Sequence, residues 1–319
     1  MTSHPQIRSS RTLKWVSGAS LILVLIAAVG LFVDPRQILG APAWSKTLKF
    51  AISLFLYAYT LNWVTTVLPQ KAKLVRGLFR ATSVILVLEV ILIVIQTVRG
   101  VPSHFNVSTS FDTIIWGAMG SMISVFWVLS FVAAVLVLFQ RTSNPVVTWS
   151  IRLGLILSLV GFMEGYLMAS PNPLQQQALQ AGQQLDLIGA HTVGVLKDGG
   201  KGLPIVGWST EHGDLRIAHF IGTHALQVMP LLALFLIGLR RRWLQDRQRI
   251  QLLLVGAAGY LGLMGLLVWQ ALRDESILNP SSPILYSGGG LLLVMGVLVT
   301  GIVVSARNQL KLRRPLATD

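Results

Sequence analysis

Ala81–Val98, ATSVILVLEVILIVIQTV, carries one charged residue, Glu89, in an otherwise apolar run. A stretch of about 18 or more apolar residues is long enough to cross a bilayer as a helix. Inside lipid every backbone polar group must pair within its own segment, so the run is helical. Similar runs recur along the whole chain. We read eight spans, at about 13–33, 47–68, 81–98, 113–139, 148–169, 217–238, 250–271 and 284–305. The composition agrees: of 319 residues, 53% are hydrophobic and only 12% charged, about half the usual globular share. The expected fold class is an all-α integral membrane bundle of eight transmembrane helices, forming a single membrane domain over 1–319.

The formal charge of +14 would suit a nucleic-acid partner if it clustered on one folded face. It alternates with the spans instead. Arg8, Arg11 and Lys14 precede the first span, and Lys71, Lys73, Arg76 and Arg80 separate the second and third. Arg141 and Arg152 flank the fourth connection, RRRWLQDRQR fills the sixth, and Arg307, Lys311, Arg313 and Arg314 outweigh Asp319 at the end. The four connections on the other side are together neutral. By the positive-inside rule both termini are cytoplasmic. No nucleic-acid partner is implied; the partner is the lipid bilayer. Val16–Val33 is too long for a usual signal-peptide core and no clear small-residue cleavage site follows, so it reads as a retained helix. The chain has no Cys, which excludes disulfides and thiolate metal sites.

One connection is long. The loop 170–216 lies on the extracytoplasmic side and opens with SPNP, a helix stop. Leu174, Ala178, Ala181, Leu185 and Ile188 then recur at a 4-3-4-3 spacing, the pattern of an amphipathic helix lying on the membrane or over the bundle mouth. VLKDGGKGLPIVGWST reads as turns.

Small residues indicate where helices meet. Gly154, Ser158, Gly161 and Gly165 share a face of the fifth span, and Gly117, Ser121 and Ser124 share one of the fourth. Glycines at every third position of GAAGYLGLMG spiral around the seventh span and suit two neighbours.

The residues able to carry chemistry are unevenly placed. His4 is in the N-terminal tail; His104, His191, His212, His219 and His224 all fall on the extracytoplasmic side or in the outer half of the sixth span. Without Cys, imidazoles and carboxylates are the ligand set for Zn, Fe or Cu. His104, His191, His219 and His224 are therefore the candidate metal ligands, for a transition metal or a haem. Glu89 and Glu164 lie inside spans, where acids are expensive and mark wet cavities or ion paths. They are the candidate catalytic or proton-handling groups. His219 and His224 are five apart, about 140° around a helix at about 100° per residue, so they aim at different partners unless Gly222 loosens the helix. Lys46, Lys49 and Arg216 form a positive rim for an anionic headgroup, cofactor or substrate; Arg99 would extend it. The plain alternative is a snorkelling Lys pair beside the interfacial Trp44, with Asp112, Asp214 and Glu211 forming ordinary ion pairs. His212, in STEHGD, reads as solvated.

SKTLKF, RGVPSHFN and GDLRIAHFIGTHALQ resemble segments of a group of bacterial polytopic membrane proteins of uncharacterised activity. The resemblance implies a bacterial inner-membrane location and no particular reaction. Two functions stay open: a metal- or haem-dependent protein acting on a lipid or other hydrophobic or extracytoplasmic substrate, and a proton-coupled transporter using Glu89. An accessory subunit with no site of its own is the third.

Overall fold

The structure, a computed structural model, describes residues 10–69 and 72–312. His4, Arg8, Lys71, Arg313, Arg314 and Asp319 lie outside the described residues. The chain runs α1 (Arg11–Val33), a two-residue hairpin of β1 (Gln37–Ile38) and β2 (Ala41–Pro42), α2 (Ser45–Val67), α3 (Lys73–Arg99), α4 (Ser110–Leu138) and α5 (Pro145–Ala169). It continues through α6 (Pro173–Gln180), α7 (Leu215–Thr223), α8 (Ala225–Gly238), α9 (Asp246–Leu272) and α10 (Ser282–Leu312). Seven of these helices are long and apolar enough to cross a membrane. The pair α7–α8 occupies the expected sixth span but bends by 52° between its halves, so it supplies an eighth crossing only if the two act as one. The fold is an all-α, multi-pass membrane arrangement.

The helices start where side chains can satisfy their first amides. Ser10 accepts from Leu13, Thr109 from Asp112, and Asn144, ahead of Pro145, from Val146 and Val147. α3 begins eight residues before the expected span because the basic stretch Lys73–Arg80 is itself helical. It ends at Gly100, whose left-handed conformation closes the last turn.

α5 is the centre of the bundle, packing against α4, α7, α8 and α9. Its small-residue face meets α7 and α8 at backbone distance. A Cβ on Gly154 would lie 2.9 Å from Leu226 Cα, and one on Gly161 would lie 2.2 Å from Gly222 C. α1 packs along α2, α3 along α4, and α10 along α9. The α9 glycines do serve two neighbours: Gly256 lies under Leu232 of α8, while Gly259 and Gly262 lie under Met295 and Leu291 of α10.

The expected fifteen-residue amphipathic stripe is not one helix. α6 stops at Gln180, because Gly182 takes φ +77° and Gln183 and Gly182 donate back to Ala178 and Leu179 in a Schellman ending. Of the stripe, only Ala178 is fully buried. The buried polar partner is Gln175, fully enclosed. Its side chain caps Asn172, accepts from Gly189 N, and donates to the carbonyls of Gly189, Leu187 and Leu196.

Candidate functional site

The long loop builds the site by strand-like pairing. Val107 N donates to Asp186 O and Ile188 N to Phe105 O, stitching the 186–188 segment beside the 104–107 segment. A bridge between Thr192 and Asp214, with Leu215 N donating to His191 O, then carries the chain to the start of α7. His191 is thus placed between His104 and the first turns of α7, which bear Arg216 and His219.

Each of these three imidazoles is fixed through Nδ1. His191 Nδ1 donates to Asp198, which also accepts from His191 N and Thr192 N at 3.0 Å each. His219 Nδ1 lies 2.7 Å from Gly161 O. A carbonyl only accepts, so that nitrogen carries the proton and Nε2 is the lone-pair face. His104 Nδ1 is 3.0 Å from Ser103 Oγ. Among the described residues no hydrogen bond is made to Nε2 of any of the three. Aromatic rings surround them. His104 faces Phe50 and Trp116 at 5.9 and 5.5 Å, Phe105 stands edge-on to His191 at 4.8 Å, and Phe162 lies 6.3 Å from His219.

The charges of Lys46, His191 and His219 all bear on His104. Burial, with those neighbours, pushes the His104 imidazole well below its usual 6.5. Burial also lowers His191, against the opposing pull of Asp198. Burial would raise Asp198, but the His191 charge, ring and backbone amide together hold its carboxyl well below the usual range. At neutral pH the pair is therefore a neutral imidazole donating to a carboxylate.

The three rim cations differ in their partners. Lys49 Nζ donates to Val206 O at 2.8 Å, and Arg216 donates to Gly207 O at 2.7 Å while pairing with Asp214 at 2.9 Å. Both are spent on holding the loop tip 203–208 over the bundle. Arg99 pairs with Asp112 and Gln96, and so takes the plainer of its two expected roles. Among the described residues Lys46 has no hydrogen bond or ion pair; it feels Asp198, Arg216 and Lys49 through space. His212, expected to be solvated, lies 3.1 Å from Asp274.

His224 is not part of this group. It stands at the α7–α8 break, with Nε2 3.3 Å from Ser53 Oγ of α2 and its ring 4.5 Å from Phe220. His219 turns to α5 and His224 to α2, as their spacing requires, and the helix does loosen just after Gly222. Glu89 and Glu164 are buried, and neither bonds to an imidazole; Glu89 Oε1 and Glu164 Oε2 have no partner. Among the described residues no three His, Asp or Glu side chains gather into a group able to hold a metal ion. A crevice of about 180 Å³ lies at the opposite end of α9 and α10, beside Gln248, Gln251 and Ser305.

Asp198 escaped the sequence reading because it sits in a Gly-rich turn segment whose closure on His191 depends on the folded loop. Its only signal was an acid in an otherwise basic VLKDGGK run. Comparison with known protein families, curated proteins and solved structures finds no match.

Proposed function

We propose that this chain is a bacterial inner-membrane protein, one membrane domain with cytoplasmic termini, whose working site is the loop-covered imidazole cluster on the extracytoplasmic side. Its substrate is a small lipid-soluble or extracytoplasmic molecule. His191 acts as the acid–base group, oriented by Asp198. Lys46 supplies positive charge for an anionic part of the substrate, and His104 and His219 complete the wall. The observation that carries this reading is the His191–Asp198 pair: a neutral imidazole with its tautomer fixed and Nε2 unpaired, beside a cation that the protein itself leaves without a partner. Such anchoring through Nδ1 is also the setting of metal-bound imidazoles. A transition metal would be held by Nε2 of His104, His191 and His219, or a haem iron by two of the three. The absence of a gathered ligand group among the described residues favours acid–base chemistry over that arrangement.

The test is comparative lipid and extracytoplasmic metabolite profiling of cells lacking the protein, complemented with wild type or His191→Asn. A species that accumulates on deletion should be cleared by wild type and not by the variant. Equal clearance by both would overturn the reading and favour an accessory role. Elemental analysis and an absorption spectrum of the same purified protein decide the metal arm.

A second reading, a coupled carrier, is favoured by the broken sixth span. Discontinuous helices at mid-membrane are where carriers place their sites. α7 has nine residues, so at about 1.5 Å per residue the break lies roughly 14 Å along from its start, near the bilayer centre.

A further inference from the structure

The break in the sixth span is held open by side chains from two other helices. Leu226 N, which a continuous helix would pair with Gly222 O, donates instead to Ser158 Oγ of α5 at 3.0 Å. Ser158 Oγ lies 3.4 Å from Thr223 O. The Tyr260 hydroxyl of α9 donates to Ile221 O. The C-terminal end of α7 therefore presents carbonyls to a junction of α5, α7 and α9, which pack on one another.

Glu164 stands at that junction. Gly161, one turn before it on α5, is in backbone contact with Gly222; Gly165, just after it, lies 3.2 Å from the His219 ring by an added Cβ. Its charge bears on Tyr260, from the α9 side. Glu164 is only 8% exposed, and its Oε2 has no hydrogen-bond partner. A bare carboxylate in such a place is unstable, and it must be neutralised by a proton or held by a cation. A helix C-terminus adds partial negative charge at its last carbonyls, of which Ile221 O also accepts from His224 N at 3.2 Å. The one other buried acid without a partner at one oxygen among the described residues, Glu89, lies within the continuous helix α3.

We infer that Glu164, the Tyr260 hydroxyl and the Ile221 carbonyl form a binding site for one small monovalent cation, H⁺ or Na⁺, at the break. A single carboxylate among neutral oxygens suits a monovalent rather than a divalent ion. The titratable groups facing the site are Tyr260 from α9 and His219 from α7; His224 lies beyond the bend. The inference deepens the carrier reading; it shares His219 with the imidazole cluster and does not rest on the His191–Asp198 pair.

The experiment uses the full chain in nanodiscs, with no gradient. Thermal midpoints are recorded against Na⁺ at constant ionic strength, with choline as the replacement cation. Infrared difference spectra across neutral to alkaline pH report the protonated-carboxyl stretch. If Na⁺ is the ligand, the midpoint rises saturably in wild type and in Glu89→Gln, not in Glu164→Gln. Tyr260→Phe, which keeps the ring, weakens the apparent affinity about tenfold, one hydrogen-bond-sized step. If H⁺ is the ligand, Na⁺ has no effect and a protonated-carboxyl band is lost in Glu164→Gln and kept in Glu89→Gln. Neither a Na⁺ response nor a Glu164 carboxyl band would overturn the site. Flux in proteoliposomes is scored separately: binding without flux leaves the site standing and removes the carrier reading.

Discussion

On α5, Gly154, Ser158, Gly161 and Gly165 meet the backbone or rings of α7 and α8. On α4, Gly117, Ser121 and Ser124 line up at the same kind of spacing, yet a Cβ added to Gly117 or to the nearby Gly120 meets nothing within 4 Å. Gly117 and Ser121 are exposed. A small-residue stripe permits close approach; it does not supply the neighbour. On α5 the neighbour brings its own small residue, Gly222, and a broken backbone whose free amide Ser158 caps. On α4 the stripe meets α5 side chain to side chain, with Ser124 Oγ 2.9 Å from the Tyr166 hydroxyl.

The largest expected effect tests that difference directly. Gly161→Ala puts a Cβ 2.2 Å from Gly222 C and 2.4 Å from Gly222 Cα, where only backbone can yield. Overpacking of this kind costs about 1–3 kcal/mol, and here the high end is expected, since both sides are main chain. Gly117→Ala meets open space and should be neutral, or stabilising by up to about 1 kcal/mol through helix propensity. Thermal midpoints of the two purified variants in one detergent measure the gap. Equal midpoints would mean that α5 and α7 do not need their contact.

The same contrast explains what was legible. Hydropathy located the seven long apolar helices and the segment that forms the bent pair α7–α8, because a bilayer demands apolar length whatever the tertiary arrangement. It missed the start of α3, where a helix continues into basic water-facing residues, and it missed the bend after Thr223. Apolar composition continues through HALQVMPL, and the bend is stabilised by Ser158 and Tyr260 from elsewhere in the chain. The clustering of His on one side was readable from topology. Which imidazoles face one another was not, because the pairing of 104–107 with 186–188 places them. Asp198 and Gln175 were missed for one reason: both are polar residues in polar segments, made important by burial that only the closed loop creates.

Gln175 and Gln176 sharpen that point. They are adjacent and chemically identical, but Gln175 is fully buried with its amide shared among Gly189, Leu187 and Leu196, while Gln176 is exposed and reaches only Pro171 O. Gln175→Ala strands several buried backbone groups, at about 1–3 kcal/mol for each donor or acceptor left unsatisfied. The loop should open locally while the bundle holds. Limited proteolysis between residues 174 and 215 should accelerate at least about tenfold, the equivalent of roughly 1.4 kcal/mol, and Gln176→Ala should cleave like wild type. Cleavage at equal rates would show that the loop is held by something other than Gln175.

The smallest stability effect separates Lys46 from Lys49, two cations one turn apart on α2. Lys49 holds the Val206 carbonyl, and a hydrogen bond from a charged donor contributes about 1.5–3 kcal/mol. Much of that is lost to solvent screening because the group is only partly buried. Lys49→Met should therefore loosen the loop tip by about 1 kcal/mol, read as faster hydrogen exchange at 203–208. Lys46 has no such bond, so Lys46→Met removes a half-buried cation that the fold does not use. Its stability should be unchanged or slightly raised, by up to about 1 kcal/mol, because the desolvation penalty of the ammonium disappears with it. If Lys46→Met instead destabilises the loop as Lys49→Met does, Lys46 is a structural cation and the working site loses its positive centre. If the variant is as stable as wild type yet fails to clear the accumulated species, a charge that contributes nothing to folding is retained for a ligand, and that ligand carries negative charge.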